Sequence, residues 1–221
     1  MAKVVTIEQR ILKKNTEVAA ENRRHFEEQG AYVVSLASSP GSGKTSLLEV
    51  ALTELRKEVA VGVIEGDVQT DNDARRIEAL GIPAVQVVTN GTCHLDAQMV
   101  QGALEHVPFD KVELLFIENV GNLVCPASYD LGEHLRIVVA SVTEGEDKPL
   151  KYPAMFRRSH ALVLNKIDLL PYLRYDMAAA RAMALRVNSN LEIFETSCLT
   201  GQGVLEFCQW VLTQMAKTTA A

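Results

Sequence analysis

The sequence predicts one three-layer α/β domain, in which a mostly parallel, twisted sheet is flanked by helices, together with an N-terminal helix. Three observations support this. Short runs rich in valine, isoleucine and leucine alternate with segments of helical periodicity, which is typical of a parallel sheet covered on both faces. Of the 221 residues, 48% are hydrophobic, so the chain can bury a sizeable core. No internal repeat or low-complexity linker divides it, so residues 31–221 are predicted as one domain and residues 1–30 as a helical arm.

The arm is predicted to be an amphipathic helix over residues 5–29. This stretch has neither glycine nor proline, its apolar residues recur roughly at helical spacing, and it ends at Gly30. The sequence leaves open whether the helix packs on the domain or offers a surface to a partner.

The domain itself begins with a short, mostly apolar strand at residues 32–37, and a helix follows from residue 47. Further strands are predicted at residues 59–65, 85–88, 112–117, 135–142, 161–164 and 192–196. The run at 112–117 is almost continuously apolar, as buried parallel strands tend to be. Further helices are predicted at residues 71–80, about 92–105, 176–187 and 204–215.

The segment SSPGSGKT at residues 38–45 lies between the first strand and the helix that follows it. This context favours the phosphate-binding loop (P-loop) of nucleoside triphosphatases, because main-chain N–H groups and a helix N-terminus attract an anion. Ser38 stands where the pattern has its first glycine, and the alternative is a Gly-Ser turn with a solvated lysine. The residues predicted to hold the phosphates are Ser39, Pro40, Gly41, Ser42, Gly43, Lys44, Thr45 and Ser46.

Acidic residues follow the second and fourth predicted strands, where parallel sheets place their ligands. Glu118 ends an apolar strand in the position of the Mg²⁺-side carboxylate, and Gly121 is the candidate that senses the γ-phosphate. Asp67 is a second candidate for the metal or its water shell, although it could instead cap a helix, as could the neighbouring Asp71 and Asp73. The sequence therefore predicts a Mg²⁺ site of Thr45, Asp67 and Glu118, and a catalytic set of Lys44, Asp67 and Glu118.

The segment Asn165-Lys166-Ile167-Asp168 follows the sixth predicted strand. A carboxylate in the plane of a purine accepts both N1–H and the 2-amino group of guanine, a pair that adenine lacks. Asp168 is assigned this role, with Asn165 facing the base edge and the stem of Lys166 covering the ring. A last loop follows the seventh strand and is predicted to complete the GTP site; it contains Ser197, Cys198 and Leu199.

Two cysteines and a histidine form a candidate transition-metal site. Cys93 and His94 follow the third strand, and Cys125 lies 32 residues beyond Cys93, just past the segment from Glu118 to Gly121. Thiolate and imidazole suit Ni²⁺ or Zn²⁺, and three ligands leave a coordination position open or invite a second subunit. A helix N-terminus predicted at Cys93 would favour its thiolate. Free buried cysteines are common, however, and Cys198 and Cys208 are assigned to the nucleotide loop and the core.

Charge and hydropathy restrict the partners and the location. A formal net charge of −6 argues against nucleic-acid or anionic-membrane binding. No apolar run approaches the roughly 20 residues that span a bilayer, and MAKVVTIEQR does not read as a secretory signal. We therefore expect a cytoplasmic protein without nucleic-acid or membrane partners, whose cysteines serve as thiols or metal ligands.

Several segments together resemble one family. SSPGSGKT, IEGD, NGTCHLDA, LLFIENVGNLVCPASYDLGE, TEGEDKPLKYP and NKIDLLPY are similar to HypB, the GTPases of the SIMIBI class that help deliver nickel during nickel–iron hydrogenase maturation. ENVGNLVCP joined to TCHLD is far more specific than a GTPase signature alone. The resemblance implies that Cys93, His94 and Cys125 bind Ni²⁺ or Zn²⁺ near a nucleotide-dependent homodimer interface. It also implies that Lys151, rather than Lys148, reaches the partner subunit's nucleotide.

The resemblance further implies a HypA-like nickel chaperone as a partner, with the hydrogenase large subunit as an indirect one. We hypothesise that GTP and Mg²⁺ order the segment from Glu118 to Gly121, and that Cys125, seven residues beyond Glu118, reports this state to the metal. No certain water-orienting glutamine or arginine finger is evident, so slow GTP hydrolysis is expected. Alternatives are a urease-maturation nickel GTPase, a metal-binding module with incidental hydrolysis, and a small-molecule or nucleoside kinase.

Overall fold

Seven parallel strands form the sheet of the computed structural model, which describes residues 7–219. All neighbouring strands pair in parallel, in the order β3-β2-β4-β1-β5-β6-β7. The prediction of a three-layer α/β fold with a mostly parallel sheet and an N-terminal helix is thus confirmed. The strands are β1 Tyr32–Ser38, β2 Val61–Asp67, β3 Ala84–Val88, β4 Leu114–Glu118, β5 Leu135–Ser141, β6 Ala161–Asn165 and β7 Glu192–Glu195.

Helices cover both faces of this sheet. The side chains of α2, α3 and α8 pack on one face, and those of α1, α4, α6 and α7 pack on the other. Short 3₁₀ turns lie at Phe109–Lys111, Cys125–Ser128 and Ile167–Tyr172. The α-helices are α1 Ile7–Gln29, α2 Lys44–Leu55, α3 Asn72–Glu78, α4 Ala97–Leu104, α5 Lys148–Lys151, α6 Pro153–Arg158, α7 Met177–Val187 and α8 Val204–Thr219.

The helix predicted from residue 92 was placed too early. It begins at Ala97, because Asp96 is extended and its carboxylate accepts a hydrogen bond from the Met99 N–H at 2.8 Å, which caps the first turn. Cys93 therefore lies in a loop before α4, and the prediction that a helix N-terminus favours its thiolate is wrong. Helices α5 and α6 were not predicted, because segments of four and six residues are too short to show helical periodicity.

The N-terminal helix packs on the domain rather than standing free. Phe26 is fully buried in the core under α1 and α4, and α1 contacts α4 and the start of β1. The helix is therefore a packing arm, while residues 5 and 6 of the prediction lie outside the described residues. Among the helices within residues 7–219, none combines the length and the apolar character that a bilayer crossing requires.

Candidate functional site

The phosphate loop joins β1 to α2 at the carboxyl edge of the sheet. Gly43 is the N-cap of α2 with φ +91°, and a Cβ there would lie 2.7 Å from Asn165 Nδ2, so only glycine suits this position. The Nζ of Lys44 donates to Ser38 Oγ at 3.0 Å, so the serine that replaces the usual glycine contacts the lysine directly. A cavity of about 540 Å³ opens over the loop, lined among others by Pro40, Gly41, Gly43, Lys44, Thr45, Ser46, Asp67, Glu118, Gly121 and Lys166.

Glu118 lies beside the start of α2, as an acidic residue at the end of the fourth strand should. Thr45 Oγ1 donates to Glu118 Oε1 at 2.9 Å, and Lys44 Nζ is 3.5 Å from the same oxygen. The other oxygen, Oε2, is buried and has no hydrogen-bond partner among the described residues. A hydroxyl and a carboxylate with a spare oxygen are hard donors of the kind that Mg²⁺ prefers, so the residues present fit this ion.

Asp67 lines the same cavity from the end of β2. Its Oδ1 accepts hydrogen bonds from the main-chain N–H groups of Gln69 and Thr70, at 2.9 and 2.6 Å. Burial alone would raise the pKa of this carboxyl, but these hydrogen bonds hold it below its usual value. The carboxylate is thus fixed in the wall of the cavity by bonds to Gln69 and Thr70, which also make it a loop-capping group.

Glu65 is a buried carboxyl that sequence reasoning did not assign. It is 2% exposed and is the Cα partner of Glu118 in the pairing of β2 with β4. Its Oε1 has no hydrogen-bond partner among the described residues. Burial, and then the negative charge of Glu118, raise the pKa of Glu65 well above its ordinary value. The signal available in the sequence was an acid directly after the apolar residues of β2, two positions before Asp67.

Glu65→Gln is expected to raise the thermal midpoint of the nucleotide-free protein by several degrees near pH ~8, with little effect near pH ~4. Because the folded-state pKa is raised, wild type loses stability as pH rises from the unfolded-state pKa toward the folded-state pKa. Glutamine does not ionise, so the variant does not lose stability in this pH range for that reason. Calorimetric melts across pH test this, with Glu58→Gln at an exposed position as the control. A Glu65→Gln difference that does not change with pH contradicts the expectation.

The acids of α3 pair with arginines. Asp71 accepts from Arg75, whose NH2 lies 2.7 Å from Oδ2, and Asp73 accepts from Arg76 at 3.0 Å. Asp71 is the N-cap residue of α3, but its side chain makes no capping hydrogen bond, so the alternative interpretation of helix capping is wrong for Asp71. Arg76 also donates to Glu49 at 2.9 Å and lines the cavity, so it is a cation at the nucleotide site that sequence reasoning missed.

The residues predicted to read guanine lie next to the phosphate loop. Asn165 is buried and its Nδ2 donates to the Ser42 carbonyl at 3.1 Å, while Lys166 Nζ donates to the Gly41 carbonyl at 2.6 Å. Ser197 Oγ donates to Asp168 Oδ1 at 2.5 Å, which fixes that carboxylate.

The loop after β7 contributes two side chains of different character. Cys198 Sγ donates to Asn165 Oδ1 at 3.4 Å, and burial raises the pKa of its thiol. Leu199 is 82% exposed. The guanine specificity assigned to this group of residues stays a prediction.

Cys93, His94 and Cys125 converge although 32 residues separate the two cysteines. The Sγ atoms of Cys93 and Cys125 are 3.0 Å apart, and Cys93 Sγ lies 3.9 Å from His94 Nδ1. One ligand atom from each of the three residues falls within 4.8 Å of the others, as binding of one metal ion requires. Burial lowers the pKa of His94, which favours the neutral imidazole that coordinates metals, and the ring packs on Tyr129 with centroids 4.0 Å apart.

Two asparagines connect this candidate metal site to the nucleotide site. Asn119 directly follows Glu118; its Oδ1 accepts from the Leu95 N–H at 2.9 Å, and its own N–H donates to the Leu36 carbonyl at 2.9 Å. Asn122 Nδ2 donates to the Cys93 carbonyl at 3.2 Å. The segment that follows β4 is therefore hydrogen-bonded to the loop that carries Cys93 and His94. Sequence reasoning found the covalent connection from Glu118 to Cys125 but not these bonds.

The two candidate lysines of the KPLK segment differ in their surroundings. Lys148 Nζ donates to Ser39 Oγ at 2.8 Å, within its own phosphate loop. The side chain of Lys151 is 61% exposed and pairs with Asp147 at 2.8 Å on the surface. Lys151 is therefore held by an exposed surface pair, whereas Lys148 is engaged at the phosphate loop.

Comparisons with known proteins agree with the residues described above. A family model described as CobW/HypB/UreG, nucleotide-binding domain matches residues 32–195. The chain is 51% identical to hydrogenase maturation factor HypB of Rhizobium leguminosarum bv. viciae, over 97% of this chain and 72% of the relative. It is 43% identical to hydrogenase/urease maturation factor HypB of Helicobacter hepaticus, over 88% and 81%. HypB from Helicobacter pylori in complex with nickel superimposes with a TM-score of 0.89 at 37% identity, covering 93% of this chain and 96% of that chain.

Proposed function

Because the chain belongs to the HypB branch of the CobW/HypB/UreG family of nucleotide-binding proteins, we propose that it is a GTP-hydrolysing nickel chaperone for nickel–iron hydrogenase maturation. The observation that carries this proposal is the metal site of Cys93, His94 and Cys125, which is joined to the phosphate loop by one short segment. A relative of this chain is described in complex with nickel, and the two thiols and the imidazole suit Ni²⁺ as cargo.

Each part of the nucleotide site has a role in this proposal. The phosphate loop and Lys44 bind the phosphates, and Asp168, fixed by Ser197, accepts from the guanine edge. Mg²⁺, held by Thr45 and Glu118 with Asp67 on its water shell, would neutralise charge on the phosphates when bound. Arg76, anchored by Glu49, adds positive charge at the cavity wall. No residue is assigned to orient the attacking water, and slow turnover stays a prediction.

The coupling between the two sites has a physical basis in the segment from Glu118 to Cys125. Gly121 approaches the phosphate loop so closely that a Cβ would lie 3.0 Å from Pro40 Cα. A γ-phosphate that displaces Gly121 would therefore move the same segment whose Asn119 and Asn122 hold the Cys93 loop. Nucleotide state would then change the relative position of Cys93 and Cys125, and metal binding would change nucleotide affinity by the same factor.

Nickel affinity measured with GDP and with a non-hydrolysable GTP analogue tests this proposal. We expect the two dissociation constants to differ by about 5- to 150-fold, the usual range of coupling between two sites. Mass and metal content of the same samples report whether the nucleotide also makes or tightens a dimer. Equal nickel affinities in the two nucleotide states would refute the coupling, and absence of nickel binding would refute the chaperone function.

Asn119→Ala is expected to reduce the nucleotide dependence of nickel affinity to less than about threefold, because the Leu95 N–H loses its partner on the switch segment. GDP affinity should change little, since Asn119 does not line the nucleotide cavity. Titrations of nickel in both nucleotide states measure the effect. Asn188→Ala, which removes two amide-to-carbonyl bonds near α6, serves as the control and should keep the wild-type dependence.

The partners remain part of the proposal. Val124 beside Cys125 is 62% exposed and Leu150 beside Lys151 is 43% exposed, and exposed apolar side chains next to the site are consistent with a nucleotide-dependent homodimer. In such a dimer Lys151 would contact the partner's nucleotide. A HypA-like chaperone would exchange nickel with the site, and the hydrogenase large subunit would receive it indirectly in the cytoplasm.

A second recipient is supported by one comparison. The Helicobacter hepaticus relative carries the description hydrogenase/urease maturation factor, so nickel from this chain could also supply a urease. Activation of each apo-enzyme by nickel-loaded protein, with Lys44→Ala as the nucleotide-defective control, separates the two recipients. A metal-binding module with incidental hydrolysis would activate equally well after that substitution.

A further inference from the structure

Two buried asparagines of α1 each bond to both chain segments that follow the metal ligands. Asn15 Oδ1 accepts from the Ala97 N–H at 2.8 Å, and its Nδ2 donates to the Asp130 carbonyl at 2.8 Å. Asn22 Nδ2 donates to the carbonyls of Ala97 at 2.9 Å and of Leu131 at 3.1 Å. Seven residues, or two helical turns, separate the asparagines, so both lie on the same face of α1.

The bonded segments are those that carry the metal ligands. We name residues 93–97 the first metal segment and residues 125–131 the second metal segment. Ala97 ends the first, only three residues beyond His94, and Asp130 and Leu131 end the second. Tyr129 of the second segment packs on the His94 ring of the first. Each asparagine therefore connects the two segments to each other through α1.

Other contacts bring α1 close to the second metal segment. Arg23 NH2 pairs with Asp130 Oδ1 at 3.1 Å. Gly132, with φ +92°, lies so close to α1 that a Cβ would come within 2.7 Å of the Ala19 carbonyl. Asn22 is 1% exposed, yet its Oδ1 has no partner among the described residues. A buried oxygen without a hydrogen-bond partner lowers the stability of the fold, so stability alone does not account for an asparagine at position 22. The two hydrogen bonds that Asn22 donates instead connect the two metal segments.

We propose that α1 is the positioning element of the metal site: Asn15 and Asn22 hold the two metal segments at the separation at which Cys93 and Cys125 reach one metal ion. The observation behind it is the shared attachment of both segments to α1, alongside thiols 3.0 Å apart. The inference rests on the proposed function for the identity of the metal, but the positioning of the two thiols does not require any metal to be bound.

The effective concentration of the Cys93 and Cys125 thiols tests the proposal in the metal-free full-length chain. In glutathione buffers under chelator, two thiols and one glutathione disulfide give one intramolecular disulfide and two glutathione molecules, and this equilibrium measures how closely the thiols are held. Peptide mass mapping identifies the Cys93–Cys125 disulfide. We expect the double variant Asn15→Ala/Asn22→Ala to lower the effective concentration by about tenfold, the size expected for losing net hydrogen bonds.

The control is Asn188→Ala, which removes two donated amide bonds, at 3.1 and 2.9 Å, and one accepted from the Asn190 N–H. Its effective concentration should stay within about twofold of wild type, since Asn188 is hydrogen-bonded to neither metal segment. If the double variant fails to fold, Asn15→Ala alone should lower the value by about threefold. If the effective concentration of the two thiols in the folded double variant, or in Asn15→Ala where that is used instead, equals that of wild type, the proposal is wrong. Nickel binding by the wild type is titrated in parallel and tests the proposed function separately. Its absence would refute the proposed function and leave the positioning of the two thiols untouched.

Discussion

Asp168→Asn is expected to weaken GDP binding by about 100-fold and to strengthen binding of xanthosine diphosphate correspondingly. The carboxylate would accept two hydrogen bonds from guanine, and an amide can accept only one and donates the other. Xanthine has a carbonyl where guanine has its 2-amino group, so the amide of asparagine matches it. Ser197 Oγ donates to Asp168 Oδ1 at 2.5 Å, and the asparagine oxygen can accept the same bond, so the side chain should keep its orientation. Isothermal titration with both nucleotides measures the change.

The control for this substitution is Asp110→Asn, which removes the same charge from an exposed position in the 3₁₀ turn before β4. It should leave GDP affinity within about twofold of wild type, because surface charges distant from a ligand contribute little. If Asp168→Asn also leaves the preference for guanine unchanged, the base is read by other groups, and the assignment of Asn165, Lys166 and Asp168 to the guanine site is wrong.

The sequence predicted those parts of the site that lie in contiguous motifs. A phosphate loop can be recognised from the sequence because its strand, glycines, lysine and helix follow one another within about 15 residues. The convergence of Cys93 with Cys125 could be predicted because both loops leave the carboxyl edge of one parallel sheet. In these cases local chemistry and the known geometry of parallel sheets were sufficient.

The missed groups depend on contacts between distant segments. Glu65 was hidden inside an apolar strand, and its role emerges only from its pairing with Glu118 on β4. Asn119, Asn15 and Asn22 bond to main-chain atoms, and a main-chain partner leaves no sign in the sequence. Tertiary contacts, rather than propensity, decide these features. The early start assigned to α4 has a local origin instead, since the extended Asp96 caps the first turn through the Met99 N–H.

Cys125→Ala is expected to weaken nickel binding by about 100-fold or more while GDP affinity stays within about twofold. The free energy of metal binding to a Cys/His site is shared among a few ligands, so losing one thiolate removes a large part of it. Cys125 begins a 3₁₀ turn with Pro126 behind it, and alanine is compatible with that backbone. The nucleotide cavity is not lined by Cys125, so nucleotide binding should survive. Competitive nickel titration and loss of thiolate-to-metal absorption measure the effect.

Cys208→Ala is the thiol control for this prediction, because burial in the core raises the pKa of Cys208 to about 12 and keeps it protonated. Its removal should lower stability without changing nickel affinity, since this α8 side chain packs against α2 in the core. Cys93→Ala should match Cys125→Ala if the thiols bind one ion together. Unequal losses would instead assign the metal to one thiol and His94, and the 3.0 Å approach of the sulfurs would then reflect the metal-free state alone.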